Sequence, residues 1–203
     1  MPIISIEGNI GSGKSTLLHE FQNHFPEVIC LQEPVEEWKK IVDSNNVTIL
    51  EKYYEDQKRW AFSFQMMAFI TRVKCIRDTI KNFPNALIVT ERSVFTDREI
   101  FAKMLFDSGK IEDIEHDIYL RWFDELTSDI SIQNIIYVKT LPELCNERIC
   151  KRNRKGENIP LEYLQTCHAY HENWLSKTDN KIILDGRLSF MEWIPEIKSF
   201  LQL

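Results

Sequence analysis

The nine residues GNIGSGKST, Gly8 to Thr16, sit at the start of the chain between an apolar run, Ile3 to Ile6, and a segment with helical spacing, Ser15 to His24. Gly8, Gly13, Lys14 and Ser15 satisfy the spacing GxxxxGK[ST]. Glycines let the backbone turn tightly enough for successive N–H groups to face inward, and the helix that follows adds its positive end. Such a loop holds phosphate. It places Gly8, Asn9, Gly11, Ser12, Gly13, Lys14, Ser15 and Thr16 around a nucleotide polyphosphate, with Lys14 on the terminal phosphates and Ser15 on Mg²⁺. From average residue usage, a chance match in a chain of this length arises at about one per cent. The strand-loop-helix context also constrains the fold, because the loop works only at the carboxyl edge of a sheet.

The rest of the chain repeats that alternation. VICLQ (28–32), ALIVT (86–90), NIIYVKT (134–140) and KIILD (181–185) read as strands. Residues 48–82 read as a long helical stretch, with further helices over 98–106, 111–127, from Pro142 onward, and at the C-terminus. Together with Ile3 to Ile6 this predicts an α/β fold: a doubly wound, parallel, five-stranded sheet flanked by helices, in one domain over 1–203. Ligands in such sheets bind beyond the carboxyl ends of the strands. Glu33 follows the second strand and Glu91-Arg92 the third, beside the loop that follows the first.

Composition narrows the partners. Asp and Glu outnumber Lys and Arg by 31 to 25, a formal charge of -6, which disfavours a nucleic-acid partner. The 5 cysteines form no CxxC, so reduced, mostly buried thiols are expected. Cys167, His168 and His171 fit one helical face better than a metal site. No apolar run reaches the ~18 residues of a membrane span. The phosphate loop begins too early for a leader peptide, and a cytoplasmic protein is expected.

Switch-GTPase motifs NKxD and DxxG are missing, and the apolar strand ALIVT ends in Glu91-Arg92 where a large ATPase has Asp or Asp-Glu. RICKRNRKGE (148–157) instead suggests an arginine-rich lid over about 148–158, with Arg148 and Arg152 on one helix face. A kinase needs such a lid to keep water from the donor. On the acceptor side, Glu33 is placed to take or orient a hydroxyl proton. Phe64, Gln65, Ala68 and Arg72 fall at helical spacing, an apolar stripe with polar members suited to a flat ring.

The motifs GNIGSGKST, EPVEEW, RWAFSFQ, ERSVFTDR, IPLEYL and HENWL, in this order, resemble those of the deoxyribonucleoside kinases, the family of deoxycytidine, deoxyguanosine, deoxyadenosine and insect-type multisubstrate kinases. The resemblance spans essentially the whole chain. It implies a P-loop kinase in which Glu33 takes the proton of the sugar 5′-OH, Arg92 orients that carboxylate and neutralises phosphoryl charge, and Glu91 lies near Mg²⁺. It assigns base reading to Gln65, with Ile10, Trp38, Phe64 and Phe101 around the ring, and gives the sugar 3′-OH to Tyr54 and Glu157. The donor, ATP or another nucleoside triphosphate, would meet Arg148, Arg152 and Arg154. Relatives with an Arg/Asp pair at Arg72 and Asp97 favour deoxycytidine or purine deoxynucleosides, whereas thymidine-accepting relatives have a small residue where Asp97 sits. A homodimer through the apolar 61–80 and 111–126 segments is likewise implied. A nucleoside monophosphate kinase of the thymidylate-kinase type, and a nucleotide-binding regulatory protein without catalysis, are the alternative readings.

Overall fold

The computed structural model describes residues 3–154 and 159–202. In chain order the elements are β1 (Ile3–Glu7), α1 (Lys14–His24), β2 (Ile29–Leu31), α2 (Val35–Trp38), α3 (Ile49–Glu55), α4 (Gln57–Asn82), β3 (Ile88–Glu91), α5 (Val94–Thr96), a π-helical segment (Asp97–Ala102), α6 (Lys103–Asp107), α7 (Asp113–Thr127), β4 (Asn134–Lys139), α8 (Pro142–Arg152), α9 (Leu161–Leu175), β5 (Lys181–Asp185) and α10 (Phe190–Leu201). The five strands form one parallel sheet in the order β2-β3-β1-β4-β5.

Strand β1 is buried along its whole length, and its side chains alternate between two cores. Ile4 and Ile6 pack with Leu17, Phe21 and Trp193 on the side of α1 and α10. Ile3 packs with Phe69, Ile76, Tyr119 and Phe123 on the side of α4 and α7. Each of these fully buried side chains stabilises the fold by about 1.5–3 kcal/mol. Register then builds the site. Ile6 pairs with Glu91 and Leu31 with Thr90, so Gly8, Arg92 and Glu33 emerge at the same carboxyl edge. Chain direction switches on either side of β1, which opens the crevice where ligands bind in such folds.

The predicted 48–82 helix is two helices. Asp56, at φ -140° and ψ 85°, ends α3, and its side chain accepts from the Arg59 N–H to cap α4. No glycine or proline marks that break. The helix predicted over 98–106 starts earlier, at Val94, under a capping box between Ser93 and Thr96. It also carries the π-helical turn, which nothing in the apolar spacing foretold.

Candidate active site

The phosphate loop is built from strained geometry that glycine relieves. Gly8 has φ 145°, and a Cβ there would lie 2.6 Å from the Val138 carbonyl; at Gly11, φ 78°, it would lie 2.7 Å from that of Cys145. The Lys14 Nζ donates to the Asn9 carbonyl at 2.6 Å, bending over the loop. Burial, reinforced by Arg92, pulls its pKa down to about 8. Asn9 and Ser12 are buried beneath the loop, and the Asn9 side chain turns away to donate to the Leu164 carbonyl. What Asn9 and Gly8 offer a ligand is therefore backbone.

Across the crevice lies a cavity of about 560 Å³. Ile10, Gly11, Gly13, Lys14, Ser15 and Thr16 form its floor at the phosphate end; Glu33, Glu91 and Arg92 form its waist. The far end is aromatic. Tyr53 and Phe64 stack with ring centroids 4.4 Å apart, and Trp38 meets Phe64 edge-on at 5.4 Å. Gln65, Ala68, Asp97, Phe101 and Tyr54 complete this compartment, while Arg148, Arg152 and Arg154 line the phosphate side. The volume and the mix of apolar walls with few polar groups suit a small ring-bearing ligand beside a polyphosphate.

Glu33 is the electrostatic centre. One oxygen accepts from Arg92 Nη1 at 2.7 Å and the other from Arg72 Nη2 at 2.8 Å. Burial works to raise its pKa, but the charges of Arg92 and Arg72 prevail and hold it at about 2. The carboxylate is ionised across the physiological range. Arg72 also donates through Nε to Asp97 at 2.8 Å and through Nη1 to the Glu91 carbonyl at 3.0 Å. Expected in the nucleoside pocket, Arg72 is not among the residues that line the cavity; it lies behind Glu33 and Asp97 and donates to both. Asp97 is equally buried, and burial pushes its pKa up to about 6 against the pull of Arg72.

Arg92 adopts φ 62°, unusual for a side chain of this size. Its guanidinium stands over the Phe101 ring at 5.1 Å, and its Nε and Nη2 are buried without a partner among the described residues. The same holds for Gln65 Oε1. Both residues line the cavity, where an anionic ligand would satisfy Arg92 and a hydrogen-bond donor Gln65.

The Ser15 Oγ donates to a Glu91 oxygen at 2.7 Å. Hard oxygen donors side by side next to a phosphate loop fit Mg²⁺, which is usually held by one or two protein oxygens and the substrate phosphates. Among the described residues no group of three or more His, Cys, Asp or Glu could hold a metal ion, Cys167 and His171 included. Arg148 lies on α8, and its Nη1 and Nη2 donate to the Ser12 and Gly186 carbonyls at 3.0 and 2.7 Å. Glu157 lies outside the described residues. Tyr53 and Tyr163, whose hydroxyls are 3.5 Å apart, line the cavity without having been singled out in the sequence. Tyr53 adjoins Tyr54, and their shared helical turn was the available signal.

Residues 4–196 match the deoxynucleoside kinase family profile. The chain belongs to that family. A protein of fowlpox virus named probable deoxycytidine kinase is 45% identical over 181 residues, 87% of this chain and 72% of its own length. Human mitochondrial thymidine kinase 2 is 36% identical over 178 residues, 86% of this chain and 64% of its own. Chicken deoxycytidine kinase 2 is 35% identical, across 98% of this chain and 89% of its own length. As a deoxynucleoside kinase the protein is a transferase, and its phosphoryl group comes from a nucleotide donor. No helix among the described residues is long and apolar enough to cross a membrane.

Proposed function

We propose that the enzyme transfers the γ-phosphoryl group of ATP, or another nucleoside triphosphate, to the 5′-OH of deoxyadenosine, deoxyguanosine or deoxycytidine in preference to thymidine. The observation that carries this reading is Glu33, an ionised carboxylate gripped by two arginines at the waist between the phosphate loop and the aromatic compartment. A monophosphate acceptor would need cations there, and Arg72 is already committed to two carboxylates.

In this reading the nucleoside base lies between Ile10, Trp38, Phe64 and Phe101, with Gln65 hydrogen-bonded to its edge. Tyr54, together with Glu157, holds the sugar. Glu33 orients the 5′-OH toward the donor. With a pKa of about 2 it is too weak a base to strip the hydroxyl in the ground state. It takes the proton as the new P–O bond forms, which matches the loose character of phosphoryl transfer. Lys14, Arg92 and the lid arginines Arg148, Arg152 and Arg154 neutralise the phosphoryl oxygens. Ser15 and Glu91 would hold Mg²⁺, which would add charge neutralisation on the donor phosphates.

Asp97, held in place by Arg72, forms the wall where a 5-methyl group on a pyrimidine would project, hence the bias against thymidine. The enzyme acts in the cytoplasm as a homodimer. Exposed Ile70 on α4 and Ile114, Ile118 and Trp122 on the packed neighbour α7 supply the contact.

Two measurements test this. Glu33→Gln should lose most of kcat while nucleoside affinity stays within about threefold; near-normal kcat removes Glu33 from the reaction. A panel of the four deoxynucleosides and their monophosphates should rank thymidine last by kcat/KM and show no monophosphate turnover; thymidine as best substrate, or an active monophosphate, overturns the assignment.

A further inference from the structure

Glu7 closes β1, is fully buried, and has no part in the roles set out above. Burying a carboxylate is unfavourable unless its oxygens are satisfied. Those of Glu7 are. One accepts from the Ser93 backbone N–H at 3.0 Å, from the Ser93 Oγ at 2.8 Å and from the Ser5 Oγ. The other accepts from the Thr96 Oγ1 at 2.5 Å.

Most of those donors belong to the turn between Glu91 and Asp97. Within it Arg92 is held in the left-handed region, a conformation that persists only where the surroundings impose it. The Arg92 amide donates to the Ile6 carbonyl at 3.0 Å, and its own carbonyl accepts from the Thr90 Oγ1 at 2.9 Å. The next amide, that of Ser93, is shared between Glu7 at 3.0 Å and the Thr96 Oγ1 at 3.2 Å. Glu7 is also bonded covalently to Gly8. A single carboxylate thus ties the first residue of the phosphate loop to the turn that presents Arg92.

We infer that Glu7 is a positioning residue for phosphoryl transfer: it locks the Arg92 turn so that the guanidinium faces both Glu33 and the phosphate path. Glu7 itself touches neither donor nor acceptor. Without it, Ser93 and Thr96 keep only their capping box with each other, the turn loses its anchor to β1, Arg92 relaxes toward negative φ, and its guanidinium leaves Glu33. Within the nucleoside compartment Trp38, Phe64 and Gln65 stand on other elements and keep their places, while Asp97 keeps its bond to Arg72. Chemistry is lost while acceptor binding remains. A buried acid of structural value alone would instead lower stability and leave kcat per folded molecule intact.

The inference rests on the proposed roles of Glu33 and Arg92, which Glu33→Gln judges separately. Its own test uses the full-length chain, with kcat, nucleoside KM and Tm measured for Glu7→Ala, Glu7→Gln and the pair Ser93→Ala with Thr96→Val. Glu7→Ala and the Ser93/Thr96 pair should lose about ten- to a hundredfold in kcat per folded enzyme, the range of a misplaced catalytic group, with KM within about threefold. Glu7→Gln, whose amide oxygen still accepts from Ser93 while its NH₂ faces a hydroxyl able to accept, should recover at least part of that loss. If Glu7→Ala does not fold, the Ser93/Thr96 pair, which keeps the buried carboxylate, is read by the same criterion. A kcat within about twofold of the parent in the folded variants, or kcat falling only in step with Tm, overturns the inference.

Discussion

Replacing Arg72 by methionine removes one guanidinium from three acceptors at once: Glu33, Asp97 and the Glu91 carbonyl. The side chains of Arg72 and Asp97 are each only 3% exposed, and that of Glu33 17%, so water cannot readily replace the missing partner. Breaking a buried ion pair by deleting one member costs about 3–5 kcal/mol, mostly because the other charge is left uncompensated. For a chain of 203 residues, at about 2–4 °C of Tm per kcal/mol, the expected loss is on the order of 10 °C. Adding Asp97→Asn to Arg72→Met removes that stranded charge, so the double variant should regain more than half of the lost stability. It should not regain kcat, because Glu33 then keeps Arg92 alone and its carboxylate turns more freely. Urea unfolding followed by circular dichroism gives the stability, and a coupled ADP-release assay gives kcat. If the double variant is less stable than Arg72→Met, or stability and kcat recover together, then Arg72 does not serve Glu33 and Asp97 as separable partners.

Three further outcomes are expected. The Lys14 ammonium, depressed to about 8 by burial, deprotonates in the free enzyme as pH rises, so kcat/KM for the donor nucleotide should fall above about pH 8. A bound polyphosphate raises that pKa, so kcat should stay flat to higher pH; parallel limbs in the two profiles would disprove the assignment. Glu33, with a folded pKa below its unfolded value, contributes stability that is complete above about pH 4.3 and lost as pH falls toward 2; Glu33→Gln should therefore flatten the acid side of the Tm–pH curve, and an unchanged curve would contradict it. Trp122→Glu, on the exposed face of α7, should yield a monomer by analytical ultracentrifugation, whereas an intact dimer would place the interface elsewhere.

The sheet was legible because its strands are apolar runs between turn signals, and burial on both faces leaves such runs little other use. The strand ends were legible for the same reason, and with them Glu33, Glu91 and Arg92. Arg72 was visible as a partner for Asp97, but its bond to Glu33 joins residues 39 apart in sequence and follows only from the packing of α4 against the β2 edge. Glu7 was hidden differently. A glutamate beside the glycine loop reads as part of the motif, and only the register of β1 with β3 puts it under Ser93. The division at Asp56 was missed because aspartate ends a helix there by capping the next one, without glycine or proline.

The π-helical segment Asp97–Ala102 holds one residue more than an α-helix would need for the same span, and it contributes both Asp97 and Phe101 to the nucleoside compartment. Deleting one residue within this turn would let it relax to an α-helix with its flanking turns still in phase, and would shift the residues of the turn itself, Asp97 and Phe101 among them, relative to those flanks. The sheet and the phosphate loop would stay as they are. This wall of the cavity is therefore separable from the phosphate loop: a change of chain length in this single turn can re-aim it with no change of side-chain chemistry, a route to a differently shaped pocket that a comparison of residue identities alone would overlook.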